Sequence, residues 1–309
     1  MQDTKIYIIG FGAIGKALAV FFSLQGKDVT VVRGSVNDGS RKEEEVVIAL
    51  PDGTKLQQKI RVVTLNSLNQ LKGLVILTTK SFGNRELSLS LQGKSDQTPV
   101  VILQNGVNVE APFLETNFDQ IYRCVLFSTS LVLDNGDVRF RPVTDSPVGV
   151  IKGDTATLDA IIEEINTPYF PFKAASDIQP VIWKKAIMNT VFNSICPLLE
   201  VDNGIFQREP AAFHLAQNLI QSGISIAAKV GVHLNQQEIE TGLLNISTAS
   251  DGQSISTLQD IQKGRHTEID TLNFELFRLA EEHGIAAAAR EILLLGELIK
   301  IKERINYKN

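Results

Sequence analysis

The chain has 309 residues, of which 43% are hydrophobic and 21% are charged, and its formal net charge at pH 7 is −5. This apolar content is enough for two domains and excludes a disordered chain. The acidic balance and the scattered lysines and arginines argue against nucleic-acid binding, and no apolar stretch is long enough to span a bilayer.

Cysteine usage and the first residues favour a reducing compartment. Cys124 and Cys196 each lie in an apolar run, where they offer neither a disulfide framework nor zinc-ligand spacing. The chain starts without the long apolar region and the small-residue cleavage site of a signal peptide. We therefore expect a soluble cytoplasmic protein with no membrane partner.

The first half of the chain alternates short β-rich runs with helical periodicity. Strands are predicted at 5–9, 28–32, 74–79 and 100–103, and a helix at 13–24. A local antiparallel excursion is predicted at 46–50, 54–59 and 61–65, and later strands at 122–133, 137–141 and 147–151, with Asp134-Asn135-Gly136 as a hairpin turn. This alternation indicates a mainly parallel sheet.

Beyond about Pro171, helical periodicity dominates. The predicted helices are 177–199, 210–230, 235–245, 267–283 and 286–305. We predict an α/β chain with an N-terminal doubly wound, Rossmann-type domain (1–172), an all-α C-terminal domain (173–309) and a ligand cleft between them. The apolar final helices pack either internally or against a second copy, so a monomer and a homodimer both stay open.

A glycine-rich turn follows the first strand and opens the first helix. Gly10 permits a tight turn, Gly12 lets the backbone approach a pyrophosphate, and Gly15 allows close contact between helix and strand. The helix N-terminus attracts phosphate. These features predict a dinucleotide site, the alternative being a turn needed only for packing. The turn reads Gly10-Phe11-Gly12-Ala13-Ile14-Gly15.

The second strand ends in Arg33, where an NAD-specific site usually has an acidic residue. A guanidinium pairs with a 2′-phosphate, so Arg33 favours NADP(H); the alternative is an ordinary surface arginine. Lys80 and Asn105 follow two further strands. Because ligands of open parallel sheets lie at the carboxyl ends of strands, both are candidates for cofactor binding, and Asn105 also for substrate.

Lys185, Asn189 and Asn193 recur at i, i+4 and i+8 on one face of a predicted helix. Asparagine is a poor helix former, so this face predicts contact with a polar ligand; the alternative is a hydrated face against the first domain. The adjacent Lys184 competes for the same role, but the register with the two asparagines favours Lys185.

Asn203 lies in a turn sequence, and Ser256 and Glu268 are weaker candidates. By sequence alone, we interpret Ser256 as a helix cap and Glu268 as an ordinary acidic residue in the first turn of a helix.

With these motifs in this order, nearly the whole chain resembles the ketopantoate reductase (2-dehydropantoate 2-reductase) family. The matching features are the glycine turn, the strand ending in Arg33, Thr78-Thr79-Lys80, Gln104-Asn105-Gly106, the Trp-x-Lys-x-x-x-Asn-x-x-x-Asn helix, Asn203-Gly204, and the segment from Ser256 to Glu268. The resemblance implies a Rossmann domain followed by a helical domain like that of 6-phosphogluconate dehydrogenase. It also implies NADPH-dependent reduction of 2-dehydropantoate to (R)-pantoate, on the route to pantothenate and coenzyme A.

By matching position, the resemblance implies that Lys185 donates a proton to the ketone oxygen and that Glu268 holds substrate or cofactor and helps set the state of the lysine. The implied substrate contacts are Asn105, Lys185, Asn189, Asn193, Asn203 and Ser256. Two alternatives remain: a reductase of another branched 2-oxo acid on the same scaffold, and a regulatory protein that senses NADPH without turning it over.

Overall fold

The computed structural model describes residues 4–34, 36–95, 97–116 and 118–307. The chain forms two compact units. The first comprises Met1–Gln104 and Glu110–Ile178, and the second comprises Asn105–Val109 and Gln179–Asn309. The domain boundary expected from the sequence, between residues 172 and 173, stays a prediction.

The first unit is built on one sheet of eleven strands. In chain order the strands are β1 (Ile6–Ile9), β2 (Val29–Arg33), β3 (Arg41–Ala49), β4 (Lys55–Thr64), β5 (Leu74–Leu77), β6 (Val100–Ile102), β7 (Ile121–Cys124), β8 (Ser128–Val132), β9 (Val138–Pro142), β10 (Ser146–Lys152) and β11 (Phe172–Ala174). Its helices are α1 (Ala13–Leu24), α2 (Asn84–Leu91), α3 (Ala111–Glu115) and α4 (Thr155–Ile165).

Six adjacent strands, in the order β4-β2-β1-β5-β6-β7, run parallel. The chain therefore changes direction across the sheet between β1 and β5, which is the doubly wound arrangement with its ligand-binding switch point. This confirms the predicted fold class. The predicted antiparallel excursion is also present, because β3 pairs antiparallel with β4 and β8 with β9.

Some boundaries differ from the sequence-based predictions. The two strands expected at 54–59 and 61–65 are one continuous strand, β4, since no glycine or proline interrupts it. The run 122–133 instead divides into β7 and β8. Helix α4 was not predicted, although Asp154 caps it and its buried residues Leu158, Ile161 and Ile165 follow helical spacing.

The second unit is helical. It contains α5 (Gln179–Leu199), α6 (Ile205–Arg208), α7 (Pro210–Lys229), α8 (Gln236–Ala249), α9 (Ser256–Gln262), α10 (Asn273–Glu282) and α11 (Arg290–Asn306). The helix predicted at 267–283 starts late: Ile269–Thr271 is a 3₁₀ turn, and Leu272 leaves helical geometry before α10 begins. Among the helices in the described part of the chain, none is long and apolar enough to cross a membrane.

Candidate functional site

The three glycines of the turn after β1 have separable roles. Gly10 has a φ of +123°, and a Cβ atom there would lie 2.5 Å from Oγ1 of Thr78. A Cβ atom at Gly15 would lie 2.1 Å from the carbonyl oxygen of Gly10, so neither position accepts a side chain. A Cβ atom at Gly12, in contrast, would meet no described atom within 4 Å. Gly12 therefore keeps an open approach to the backbone.

Helix α1 begins at this turn without a side-chain cap. Gly12 is its N-cap residue, and the first turn of the helix holds no acidic residue. Phe11 lies beside Lys16, whose Nζ is 4.8 Å from the ring centroid, while Ala13 and Ile14 pack against the core of the sheet. Uncapped N–H groups at the positive end of the helix dipole, with a lysine nearby, suit an anion.

The carboxyl ends of β1, β2 and β5 meet at one edge of the sheet. Thr78 Oγ1 donates to the carbonyl oxygens of Ile9 and Gly10, at 3.2 Å each, which fixes the glycine turn. A Cβ atom at Gly34, directly after Arg33, would lie 2.7 Å from Cγ2 of Thr79. The structure thus brings the glycine turn, the half-buried Arg33 and the segment ending in the half-buried Lys80 to the same edge.

A buried polar network supports the end of β6. The amides of Gln104 and Asn84 exchange hydrogen bonds of 2.7 and 2.8 Å, and Gln104 also donates to Oγ1 of Thr79 at 3.1 Å. The Arg123 guanidinium is ion-paired with Glu110 and donates to the carbonyl oxygen of Gln104 at 3.3 Å. Gln104 and Glu110 flank the short segment 105–109, so this network anchors both of its ends.

Segment 105–109 itself belongs to the second unit. Asn105 Nδ2 donates to Oε2 of Glu268 at 3.1 Å, and the Val107 N–H donates to the Thr271 carbonyl at 3.1 Å. A Cβ atom at Gly106 would lie 2.6 Å from that same carbonyl oxygen, which explains why the position requires glycine. Two predicted site residues, distant in sequence, are thus in direct contact.

The loop that carries Glu268 is held by α11. The buried Glu303 carboxylate accepts from the Thr267 N–H at 3.0 Å and from its hydroxyl at 2.6 Å, and it lies 2.9 Å from His266 Nδ1. Burial alone would raise the pKa of Glu303, but these hydrogen bonds and the nearby Lys300 outweigh it and lower the pKa to about 2. Glu303 is therefore a charged anchor for this loop.

Helix α5 presents the predicted polar face. Lys185 and Asn189 are half-buried, whereas Asn193 is only 3% exposed. On the other side of the helix, Ile187 and Val191 are core residues, as the periodicity predicted. The neighbouring Lys184 is ion-paired with Glu238 of α8.

Three asparagines of the second unit have buried acceptor atoms. The Oδ1 atoms of Asn193, Asn203 and Asn273 accept no hydrogen bond from any other described residue. The Asn203 backbone is fixed, because its N–H donates to the Gln253 carbonyl at 3.0 Å and its own carbonyl accepts from Ser247 Oγ at 2.7 Å. Buried acceptors of this kind are costly unless a partner supplies a donor.

Ser256 is the exposed first residue of α9, and the N-cap position is Ile255 instead. The helix-cap interpretation of Ser256 is therefore wrong. Glu268 is the N-cap residue of the following 3₁₀ turn, but its side chain makes no capping bond there. Within the described ranges, no group of three or more His, Cys, Asp and Glu side chains is arranged to hold a metal ion.

Sequence reasoning missed the residues that support the site. Arg123 interrupts an apolar strand and Glu303 lies on the buried face of α11, and a charge in such a position is a usable signal of a buried partner. Asn84 offered no comparable signal, since its partner Gln104 is identified only by the folded chain.

Family comparisons cover both units. A family described as ketopantoate reductase PanE/ApbA matches residues 6–150, and its C-terminal counterpart matches residues 177–303. This chain belongs to the ketopantoate reductase family.

Individual relatives agree with this assignment. A 2-dehydropantoate 2-reductase of Pyrococcus horikoshii is 28% identical over 97% of this chain and 98% of the relative. Among solved structures, D-mandelate dehydrogenase with NADH and anilino(oxo)acetate has a TM-score of 0.85 at 21% identity, covering 99% of this chain and 100% of that one. A dimeric ketopantoate reductase from Staphylococcus aureus has a TM-score of 0.80 at 18% identity, covering 98% and 99%. The structural similarities show a shared fold.

Proposed function

We propose that this chain reduces 2-dehydropantoate (ketopantoate) to (R)-pantoate with NADPH, a step in the formation of pantothenate and coenzyme A. The observation that carries the proposal is the 3.1 Å hydrogen bond between Asn105 and Glu268. It joins two residues that lie 163 positions apart and that the family resemblance independently assigns to one site.

The first unit supplies a fitting cofactor site. Its glycine turn leaves the backbone open at Gly12 and the N-terminus of α1 uncapped, as a dinucleotide phosphate requires. Arg33 would hold the 2′-phosphate of NADPH, and Lys80 and Asn105 would contact the rest of the cofactor. When bound, the cofactor supplies the hydride for the ketone carbon.

NADP(H) is preferred here over NAD(H) on the basis of Arg33 alone. The solved D-mandelate dehydrogenase that shares this fold is named with NADH, so the fold does not choose between the two cofactors. A guanidinium after β2 attracts a 2′-phosphate, whereas the carboxylate of an NAD site repels it.

Lys185 performs the proton transfer in this proposal. As the ketone carbon is reduced, negative charge develops on its oxygen, and the Lys185 ammonium both stabilises that charge and donates a proton from Nζ. The carbonyl becomes a hydroxyl, and the neutral amine is reprotonated from solvent. Glu268, which accepts a hydrogen bond from Asn105, would hold substrate or cofactor and help set the state of Lys185.

The amides and the hydroxyl of the second unit bind the substrate. Asn105, Asn189 and Ser256 offer donors to a carboxylate. The hydroxyl group of 2-dehydropantoate has one hydrogen to donate, and the buried Oδ1 atom of Asn193 or of Asn203 offers an acceptor for it. A substrate that lacks this hydroxyl would leave that acceptor unpaired. The structure therefore favours a hydroxylated 2-oxo acid.

A second candidate is a reductase of another branched 2-oxo acid. The fold shared with D-mandelate dehydrogenase, at a TM-score of 0.85, favours keeping this candidate. It predicts efficient turnover of 2-oxo acids that carry no hydroxyl group.

The discriminating experiment follows NADPH absorbance with a panel of 2-oxo acids. We expect turnover of 2-dehydropantoate well above that of 2-oxoisovalerate. The reverse preference would support the second candidate, and no turnover of any acid, with NADPH still bound, would overturn a reductase and support a sensor.

We further propose that the chain assembles as a homodimer, as the related Staphylococcus aureus ketopantoate reductase is described.

A further inference from the structure

Helix α11 exposes an unusual apolar row. Leu294, Leu298, Ile301 and Ile305 are exposed by 55%, 41%, 50% and 77%. Their spacings of four, three and four residues place them on one face of the helix. The opposite face is already buried through Ile292, Gly296, Ile299 and Glu303. The exposed row, called the α11 seam below, is therefore additional to the face that packs on the unit's own core.

The α11 seam has the spacing of a coiled-coil interface rather than that of scattered surface residues. Within the described residues, helices α7 and α8 of the same unit each expose one large hydrophobic side chain, Leu215 and Ile246. Single exposed apolar residues are common, but a contiguous row with alternating four- and three-residue steps is typical of helix pairing. The spacing of the seam fits a second apolar helix as its partner.

Charged residues beside the seam indicate which helix that is. Glu297 and Arg304 are both exposed and lie seven residues apart along the same edge of the seam. In an antiparallel pair, Leu298 would pack against Ile301 of the partner subunit, and Leu294 against Ile305 of the partner subunit. Glu297 would then face Arg304 of the partner subunit, and the symmetry would repeat the attraction.

A parallel pair fits less well. It would place Glu297 opposite Lys302 of the partner subunit. Lys302 already donates to Glu200 at 2.8 Å and to the Pro197 carbonyl at 2.7 Å within its own chain. The charges therefore favour the antiparallel arrangement.

We propose that α11 forms an isologous homodimer interface in which two copies of the α11 seam pack antiparallel across a two-fold axis. This specifies the surface of the homodimer named in the proposed function, but it rests on the helix alone and does not depend on the substrate.

Solution mass provides the first test. We expect the full-length chain to sediment at twice its monomer mass at tens of micromolar, and the double variant Leu298→Glu/Ile301→Glu to sediment as a monomer with an unchanged circular dichroism spectrum. Leu215→Glu, which places the same charge at an exposed leucine of α7, is the matched control and should remain dimeric. A monomeric wild-type chain, or dissociation by the control alone, would overturn the proposal.

Charge reversal tests the pairing without altering the apolar residues. Glu297→Arg or Arg304→Glu alone would place like charges together twice per dimer, and we expect the dissociation constant to rise roughly tenfold. The double variant Glu297→Arg/Arg304→Glu should recover wild-type association. Failure of the double variant to recover would overturn the antiparallel register.

Cysteine crosslinking tests the same register directly. Leu294→Cys/Ile305→Cys should form a disulfide-linked dimer under mild oxidation, since the two positions meet across the axis. Leu294→Cys alone should not, because the two copies of that residue would be about 16 Å apart. The native cysteines are both buried. Equal crosslinking by the single variant would indicate a parallel pair and contradict the proposal.

Mass and activity report separately on the two proposals. A dimeric chain that reduces no 2-oxo acid would overturn the proposed function and leave the interface intact, whereas an active monomer would do the opposite.

Discussion

The two units position their candidate functional groups by different means. In the first unit, the candidate cofactor site is mainly backbone: glycines that exclude a Cβ atom, and the uncapped N-terminus of α1. In the second unit, the candidate chemistry depends on the side chains of Lys185, Asn193 and Glu268. A backbone site is specified by sterics over a few residues, whereas a side-chain site needs partners that hold each group in place.

Those partners come from distant parts of the chain. Asn105, in segment 105–109, donates a hydrogen bond to Glu268. Glu303 of α11 accepts a hydrogen bond from the backbone of Thr267, the residue before Glu268. The difference between the units implies different responses to substitution. Changes in the second unit should remove chemistry or stability, and changes at the sheet edge of the first unit should alter cofactor preference while the fold persists.

The sharpest test of this comparison is Lys185→Ala. We expect kcat to fall by about 10²–10⁴-fold, because the proton donor to the ketone oxygen is lost. NADPH affinity, measured by fluorescence titration, should change little, since the glycine turn belongs to the other unit. Lys184→Ala is the matched control: it removes a partly exposed ion pair with Glu238, and activity should stay within about twofold. Near-normal turnover by Lys185→Ala would remove this residue from the mechanism.

Glu303→Gln should give the largest effect on stability. Because folding lowers the pKa of Glu303 from 4.5 to about 2, its ionised form contributes about 3 kcal/mol to folding at neutral pH. The contribution is fully present above pH 4.5 and is lost as the pH falls through about 2. We therefore expect a markedly lower urea midpoint for Glu303→Gln at pH 7 and a smaller difference at pH 3.

Glu281→Gln is the control for that measurement, because Glu281 is an exposed acid on the neighbouring α10. Its urea midpoint should match wild type at both pH values. If Glu303→Gln also matched wild type at pH 7, the buried carboxylate would not be the anchor of the Thr267 loop.

Arg33→Glu tests the first unit. Removing a charge-assisted bond to the 2′-phosphate should raise KM for NADPH roughly 10–100-fold, while KM for NADH changes far less. Arg139→Glu, on the distant strand β9, introduces the same charge change away from the site and should leave both constants unaltered. An unchanged cofactor preference would assign Arg33 to the surface.

The features predictable from sequence are those encoded locally. The turn from Gly10 to Gly15 lies within one strand–turn–helix unit, and the face formed by Lys185 and Asn193 follows from helical spacing. The contact between Asn105 and Glu268 could not be derived in this way, because it depends on where the chain leaves the sheet after Gln104. A local signal can also be overlooked. Helix α4 has a side-chain cap and apolar residues at helical spacing, yet the sequence-based predictions do not include it.

The smallest effect, a change in melting temperature, is expected when one helix cap is removed from either unit. Asp154 caps α4 by accepting from the Thr157 N–H at 2.7 Å, and Asn235 caps α8 by accepting from the Glu238 N–H at 3.1 Å. Replacing either residue by alanine should lower the melting temperature by about 2–4 °C at pH 7. Only one of the two caps can titrate.

The hydrogen bond from the Thr157 backbone, followed by that from its hydroxyl, lowers the pKa of Asp154 below 3.8. Its cap is therefore present above pH 3.8 and weakens as the pH falls further. At pH 3 the effect of Asp154→Ala should shrink, while that of Asn235→Ala should persist because an amide does not ionise. Melting curves of both variants at the two pH values measure this, and a parallel loss of both effects would mean that ionisation of Asp154 contributes nothing to its cap.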